Sequence, residues 1–508
     1  MMKKFFIVIG LGLGSFTNDG FCQDVNYDLN RLTFEEAIVI TKENNLILKQ
    51  AQENIVQKEF ERKAAKGMYL PKLSVSATYT YMSDDIHIDL SPVRDAISPL
   101  YSALGNYGVF SGVPNPDPAT ADIMPFLPDD VSTMVVRQQL LDGLNTVNTT
   151  DWDVMIQKKQ FGVVNAGFTM PLYTGGKIRI ANEAAEIKVE ESQIESEQKF
   201  HEVTCELIER YYGLVLAKQA QKIREDVMHT MQAHLNDAEK MMNEGIIAKA
   251  EYLHAKVYFS DADRELKKVT RQVDIVNDAL LNTLAIDEDL NVMPASNLFY
   301  IKELEPIDFY WDNAEKNSPL LNKIEKKKEL AKQGYNIEKA AFFPNIAAMG
   351  TYDLYNKDLS PVVPEYMIGV GLKWDLFTGS ERVNKLKASK IQQEQVETIY
   401  QKAETDIKTA ITKYYQELNM NLEQLKELES ALEFATEYYR VRENAFKEGM
   451  ATTTEVSDAN LAVAKVKIER LQVMYEFDVA LSKLLYFSGL TSEFSNYSLS
   501  SKAVYESF

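Results

Sequence analysis

The 508-residue sequence carries 75 acidic against 55 basic side chains, a net charge of −20, and no basic cluster interrupts that excess. Such a balance excludes a phosphate-binding surface and therefore nucleic acid as a partner. No internal apolar run is long enough for a transmembrane helix, so any entry into a membrane must be made by β-strands.

Residues 1–22 have the form of a secretory signal peptide, with Lys3 and Lys4 followed by a short apolar run. Cleavage is expected between Cys22 and Gln23, and acylation of Cys22 is the alternative. Either way Cys205 is the only internal cysteine, so no intrachain disulfide is available. Thr33-Phe-Glu-Glu36 is a capping box, in which the Thr33 hydroxyl and the Glu36 carboxylate each satisfy a free backbone N–H. It predicts a helix over 33–69, ended by Pro71, because the residue before a proline is pushed out of the α region.

The period then changes to two. Leu73, Val75, Ala77, Tyr79 and Tyr81 alternate with small polar residues, and three later segments repeat the pattern. Strands are predicted over 73–82, 163–172, 346–355 and 366–376, with Pro171 at the last turn of its strand. Each has the length and the aromatic-tipped apolar face of a transmembrane barrel strand. Four strands cannot close a barrel, and an open edge in lipid leaves backbone groups unpaired, so several chains must share one wall. Residues 83–159 hold seven of the 15 prolines and little periodicity, which reads as a loop region on the outer side.

Helical patterns follow over about 177–243 and 382–447, each on the order of 100 Å long. In the second, Ile407, Ile411, Tyr414, Leu418, Leu425, Leu428, Leu432, Ala435, Tyr439 and Phe446 keep a coiled-coil spacing broken at Asn421 and Arg442. Gly245 and Gly449 reverse the chain, and shorter helices return to about 286 and 487. The two halves are copies. Gly167–Arg179 matches Gly371–Val383 without a gap, and the same offset carries Gly245 onto Gly449 and Glu251 onto Glu455. Tyr69-Leu-Pro71 matches Phe342-Phe-Pro344 at an offset 69 residues larger, so the first copy holds an insertion.

Enzyme chemistry lacks its residues. The histidines at 87, 201, 229, 234 and 254 form no His-Glu-x-x-His pair, and neither a Gly-x-Ser-x-Gly elbow nor a phosphate loop is present. No metal site or cofactor is expected. A periplasmic coiled-coil scaffold would explain the long helices, but it has no need of apolar strand faces.

Leu32-Thr-Phe-Glu-Glu-Ala37 with Glu43-Asn-Asn45, Tyr69-Leu-Pro71, Pro171-Leu-Tyr-Thr-Gly-Gly176, and Glu448-Gly449 leading to Glu455-Val-Ser-Asp458 resemble, in order and in duplication, the TolC family of outer-membrane efflux proteins. The resemblance implies a mainly α protein with a β-barrel portion. It would be a homotrimer with four strands per chain in a shared twelve-stranded barrel set in outer-membrane lipid, continued by a periplasmic α-helical coiled-coil barrel. It also implies a periplasmic adaptor (membrane-fusion) protein and an inner-membrane pump of the RND or ABC type as partners. The function implied is the exit duct of a tripartite efflux system, passively conducting small molecules; a conduit for type I protein secretion is the runner-up.

On this reading residues 23–71 begin the helical barrel, and 72–176 are the first hairpin with its extracellular loop 83–159. Residues 177–286 are the first long and return helices, and 287–306 an equatorial linker. The second copy supplies 307–343, the hairpin 344–381 and the helices 382–490, with an equatorial tail at 491–508. Gly175, Gly176 and Gly379 are the strand-to-helix turns, and Gly245 and Gly449 the adaptor-docking turns. Glu455 and Asp458, three apart on one helix face, are read as the pore gate at the periplasmic tip, where three chains would bring six carboxylates together and favour cations. Glu251, the copy-one counterpart of Glu455, is expected to brace the opening, and His254 stands where Asp458 would be. Ala451 and Phe446 replace an arginine and a tyrosine that some family members use to close the tip. Solvated acids and helix-capping glycines are the plain alternatives.

Overall fold

The computed structural model describes residues 31–286 and 290–506, so the expected leader and its Cys22 lie outside the described residues. The chain divides into two units. One comprises the residues up to Arg62 with 184–332 and 390–508; the other comprises 63–183 and 333–389.

In chain order the elements are α1 (Phe34–Asn44), α2 (Leu46–Gly67), β1 (Lys72–Tyr81), β2 (Ile86–Asp89), α3 (Ser91–Tyr107), α4 (Asp129–Thr149), β3 (Asp153–Gln157) and β4 (Gln160–Tyr173). Then come α5 (Lys177–Asn243), α6 (Lys249–Leu284), β5 (Phe299–Ile301), α7 (Ile307–Asn317), α8 (Pro319–Ala340), β6 (Asn345–Lys357) and β7 (Tyr366–Lys373). The chain finishes with α9 (Glu381–Lys447), α10 (Thr453–Phe487), α11 (Phe494–Ser498) and β8 (Ala503–Tyr505). The duplication governs the boundaries: α1 and α2 map residue for residue onto α7 and α8, and α5 has the same 67-residue length as α9.

The helix expected over 33–69 is broken in two. Asn45 adopts an extended conformation (ψ 125°), and its side-chain oxygen accepts from the N–H of Ile47 at 2.9 Å, starting α2 afresh. Its amide nitrogen donates to the Thr283 carbonyl at 2.9 Å, tying the end of α6 to this break. In the second copy Ser318, also extended, separates α7 from α8, and Gly489 after α10 packs on Asn317 so closely that a Cβ there would sit 2.6 Å from the Asn317 oxygen.

The core of the helical unit is an aromatic cluster of Phe34, Tyr211, Tyr212, Phe299 and Phe494, with ring centroids 5.3–6.2 Å apart. Segments that sequence alone would leave as linkers supply two of these rings. They also pair, with Phe299, Tyr300 and Ile301 of β5 opposite Tyr505, Val504 and Ala503 of β8. Buried Arg470 donates to Glu506 and, at 3.1 Å, to the Leu425 carbonyl. Along α9 the expected seam is buried at Ile407, Ile411, Leu418, Leu425, Ala435 and Phe446; Asn421 is buried with it, while Arg442 is half-buried, its Nε enclosed.

The other unit holds an antiparallel sheet in the order β1-β4-β6-β7. Opposed residues share a face. The register sets Leu73 against Phe168, Phe168 against Gly350 and Gly350 against Ile368, and one pair along sets Val75 against Ala166, then Tyr352, then Tyr366. All four apolar series therefore lie on one side, where Leu73, Val75, Tyr352, Ile368, Val370 and Leu372 are exposed. Three details correct the strand assignments. Leu354 is displaced at a bulge that brings Tyr355 opposite Val164, so the face continues through Tyr355. Pro171 lies inside β4 opposite Ala347, with a register shift beyond it. β7 ends at Lys373, leaving Leu376 outside the ladder and the Trp374 indole donating to the Phe342 carbonyl at 3.1 Å.

Residues 83–159 are more than the expected loop region. β2 pairs with β3, and α3 packs on α4 through two glycines: a Cβ on Gly105 would lie 2.9 Å from Leu141, and one on Gly143 would lie 3.0 Å from Tyr101. Their prolines largely fit this architecture, since Pro92 falls in the first turn of α3, Pro128 immediately precedes α4, and four others lie in the connector between the helices. Gln157, buried, donates to the Asp358 carbonyl at 2.8 Å and accepts from the Ser360 N–H at 2.7 Å, so β3 is bonded to the β6–β7 connection.

Candidate functional site

The turns after the two long helices are built alike. Gly245 (φ +78°) and Gly449 (φ +71°) are left-handed, and nothing crowds the place a Cβ would occupy, so the backbone angle alone selects glycine. The Ile246 N–H donates to the Met241 carbonyl and the Gly245 N–H to the Met242 carbonyl, and Met450 and Gly449 repeat the pattern with Ala445 and Phe446. These are Schellman caps. Gly175 and Gly176 lie in the turn between β4 and α5, and Gly379 in the connection between β7 and α9. At Gly175 a Cβ would come within 2.7 Å of the Ala340 carbonyl oxygen, so close packing fixes that residue as well.

The three acids near these turns have different surroundings. Glu455 stands three residues past Thr452 and completes a capping box that opens α10: its carboxylate accepts from the Thr452 N–H at 2.9 Å, and its own N–H donates to the Thr452 hydroxyl. It also meets Arg442 of α9 at 3.4 Å. The Thr452 N–H, with Arg442 after it, holds this carboxyl below the usual range. Asp458, one turn on, is exposed and accepts from the Tyr258 hydroxyl of α6 at 2.8 Å. Burial, and then donation to Asp458, pushes the Tyr258 phenol up to about 12. The two acids thus share a helix but reach to different neighbours, Glu455 to α9 and Asp458 to α6. Glu251 lies in the first turn of α6, where Ala248 provides no side-chain cap, and one of its carboxylate oxygens is buried without a hydrogen-bond partner.

Two participants escaped the sequence reading. Arg442 registers there only as a break in the heptad; it lies over the Tyr438 ring at 5.2 Å, and Tyr438 stacks on exposed Phe434. Tyr258 carries no local signal, since its partner is 200 residues away. Among the described residues no group of His, Cys, Asp or Glu is arranged to hold a metal ion, and no helix is long and apolar enough to cross a membrane.

Comparison with known proteins decides the family. The profile described as outer membrane efflux protein matches residues 150–285 and 311–489, more than half of the chain. The chain belongs to the outer membrane efflux protein family. This family comprises channels and not enzymes, and its members reside in the outer membrane. Three solved structures share the efflux-protein fold at low identity. The Neisseria gonorrhoeae MtrE outer membrane channel is 14% identical (TM-score 0.65), with 90% of this chain and 89% of that chain covered. The Campylobacter jejuni CmeC outer membrane channel is 12% identical (TM-score 0.65), with 90% and 86% covered. The Vibrio cholerae outer membrane protein VceC is 14% identical (TM-score 0.61), with 90% and 96% covered. No curated protein sequence matches the chain.

Proposed function

We propose that three copies of this chain form one outer-membrane duct that passes small molecules outward from an adaptor and an inner-membrane pump. The observation that carries this reading is the sheet: one apolar, exposed face, with β1 and β7 left as edges that no strand among the described residues pairs. In lipid such edges must be closed by other strands, and further copies of the chain supply them. Native mass spectrometry in detergent is expected to give a trimer. Deleting the gene should sensitise cells to apolar toxic compounds, with the intact chain restoring resistance. A monomer, or unchanged sensitivity together with a lost secreted protein, would overturn the reading.

The gate belongs to the same proposal. The Tyr258–Asp458 bond ties the two returning helices of one chain together near the tip and favours a narrow passage, and the acids lining it favour cations. Removing the donor with Tyr258→Phe should cost about 1 kcal/mol at this exposed site and raise spontaneous opening roughly fivefold in planar-bilayer recordings. A Glu455→Gln, Asp458→Asn pair should weaken cation preference. Glutamine still serves a capping box, so the start of α10 survives that change. Unchanged opening and selectivity would mean that these groups only brace helices.

A further inference from the structure

The two hairpins of the sheet are one hairpin built twice. β1 meets β4 with Leu73 opposite Phe168 and Tyr79 opposite Gly162, and β6 meets β7 with Ile346 opposite Leu372 and Tyr352 opposite Tyr366. These are equivalent residues under the duplication, and every pair of β6 with β7 has its equivalent in β1 with β4. Inside the chain a single junction joins the hairpins, β4 to β6, with Ala166 opposite Tyr352, Phe168 opposite Gly350 and Met170 opposite Ala348. The outer edges are then β7, the equivalent of β4, and β1, the equivalent of β6. The chain therefore ends on the same two kinds of edge that meet at its centre.

A head-to-tail contact that closes into a ring brings β7 of one copy against β1 of the next. In a closed wall strand number, stagger and tilt are linked, and a ring of like hairpins meets that condition when the junction between chains copies the junction within. Carried over residue by residue, the internal junction sets Val370 opposite Tyr79, Leu372 opposite Ala77 and Trp374 opposite Val75 of the next copy. All six belong to the apolar series, so the face stays continuous around the wall, whereas a slip of one residue would reverse it. A slip of two would keep the face, and the copied junction is what decides against it. Packing agrees. A Cβ on Gly350 would lie 2.3 Å from the Phe168 ring, so the internal junction sets a large residue on a small one, and Leu372 on Ala77 repeats this. The open edge also accounts for a difference in length. β4, flanked on both sides, has 14 residues, while β7 stops at Lys373 and leaves Trp374 and Leu376 exposed.

We infer that neighbouring copies join by antiparallel pairing of β7 with β1 in one register, Leu372 opposite Ala77, and that this pairing draws Trp374 into the ladder. The inference rests on the trimer proposed above.

The test uses the full-length protein in detergent with Leu372→Cys and Ala77→Cys in the same chain. Within one chain β1 and β7 are the outer strands of the sheet, about 14 Å apart at roughly 4.8 Å per strand, too far for a disulfide. Mild oxidation should therefore give covalent dimers and trimers on a non-reducing gel. Their yield should exceed several-fold that of Leu372→Cys combined with Val75→Cys or with Tyr79→Cys, the two slips that keep the face. The parent, with Cys205 buried, should give none. Val370→Cys with Tyr79→Cys lies in the same register and should also link, which keeps the test decisive if the first pair does not assemble. A native trimer that links best through a slipped pair, or through none of these pairs, would overturn the register and leave the trimer standing. A monomer by native mass spectrometry would overturn both.

Discussion

Truncating Phe494 to alanine is expected to free the C-terminal tail, at a cost of about 3–5 kcal/mol for removing a buried aromatic ring. Phe494 is 1% exposed and meets Phe34, Tyr212 and Phe299 at centroid distances of 5.5–5.8 Å. Three-residue strands such as β5 and β8 bury too little to hold on their own, so their pairing depends on this ring and on the Arg470–Glu506 pair. Amide exchange in residues 299–301 and 503–505 should quicken by two to three orders of magnitude, since each 1.4 kcal/mol is about tenfold. The β4–β6 amides serve as an internal control and should be unchanged. Wild-type protection at β5 would show that the tail is held elsewhere.

What the sequence disclosed follows from local rules. The left-handed turns at Gly245 and Gly449, the capping box at Thr33 and the alternation from Leu73 to Tyr81 are each written in a few adjacent residues, and each stands where expected. The duplication was legible because both copies must make the same turns. What stayed hidden depends on distant partners. Asn45 reads as one polar residue in a helical run, and only its bond to Thr283 shows why the helix restarts there. The α3–α4 hairpin looks like a proline-rich loop until Gly105 and Gly143 are seen to let two short helices touch. The Leu354 bulge cannot be read from alternation, because the register is set by the opposite strand. Of the candidate site, the place of Glu455 and Asp458 just past the Gly449 turn was readable. Their attachments, to Arg442 and Tyr258, were not.

Asp478 gives the clearest test of the energetics of the aromatic core. It lies on α10, fully buried, and neither carboxylate oxygen has a partner at hydrogen-bond geometry. The groups that sense it are Tyr212 of α5, Tyr505 of β8 and Tyr475 on its own helix, none of them a cation. Burial drives its pKa well above the ordinary carboxylate range, and the nearby Phe299 N–H opposes this only in part. A raised folded-state pKa means that the folded chain holds the proton more tightly than the unfolded one. Stability from this group is therefore present in acid and lost as pH rises from the ordinary carboxylate range through the raised value. Asp478→Leu, which fills the space without a charge, should raise resistance to unfolding at about pH 8, and replacing buried ionic groups in this way is often worth about 1–4 kcal/mol. At about pH 4 the gain should shrink, because the folded carboxyl is then neutral and the unfolded one only about half ionised. Asp478→Asn should flatten the pH dependence in the same direction with a smaller gain, since its amide donors also lack partners. Urea unfolding of the parent and both variants at the two pH values measures the difference. If both variants are less stable at the higher pH, the carboxylate is serving as a paired anion in the assembled protein, and the core around Phe299 is organised by charge rather than by burial.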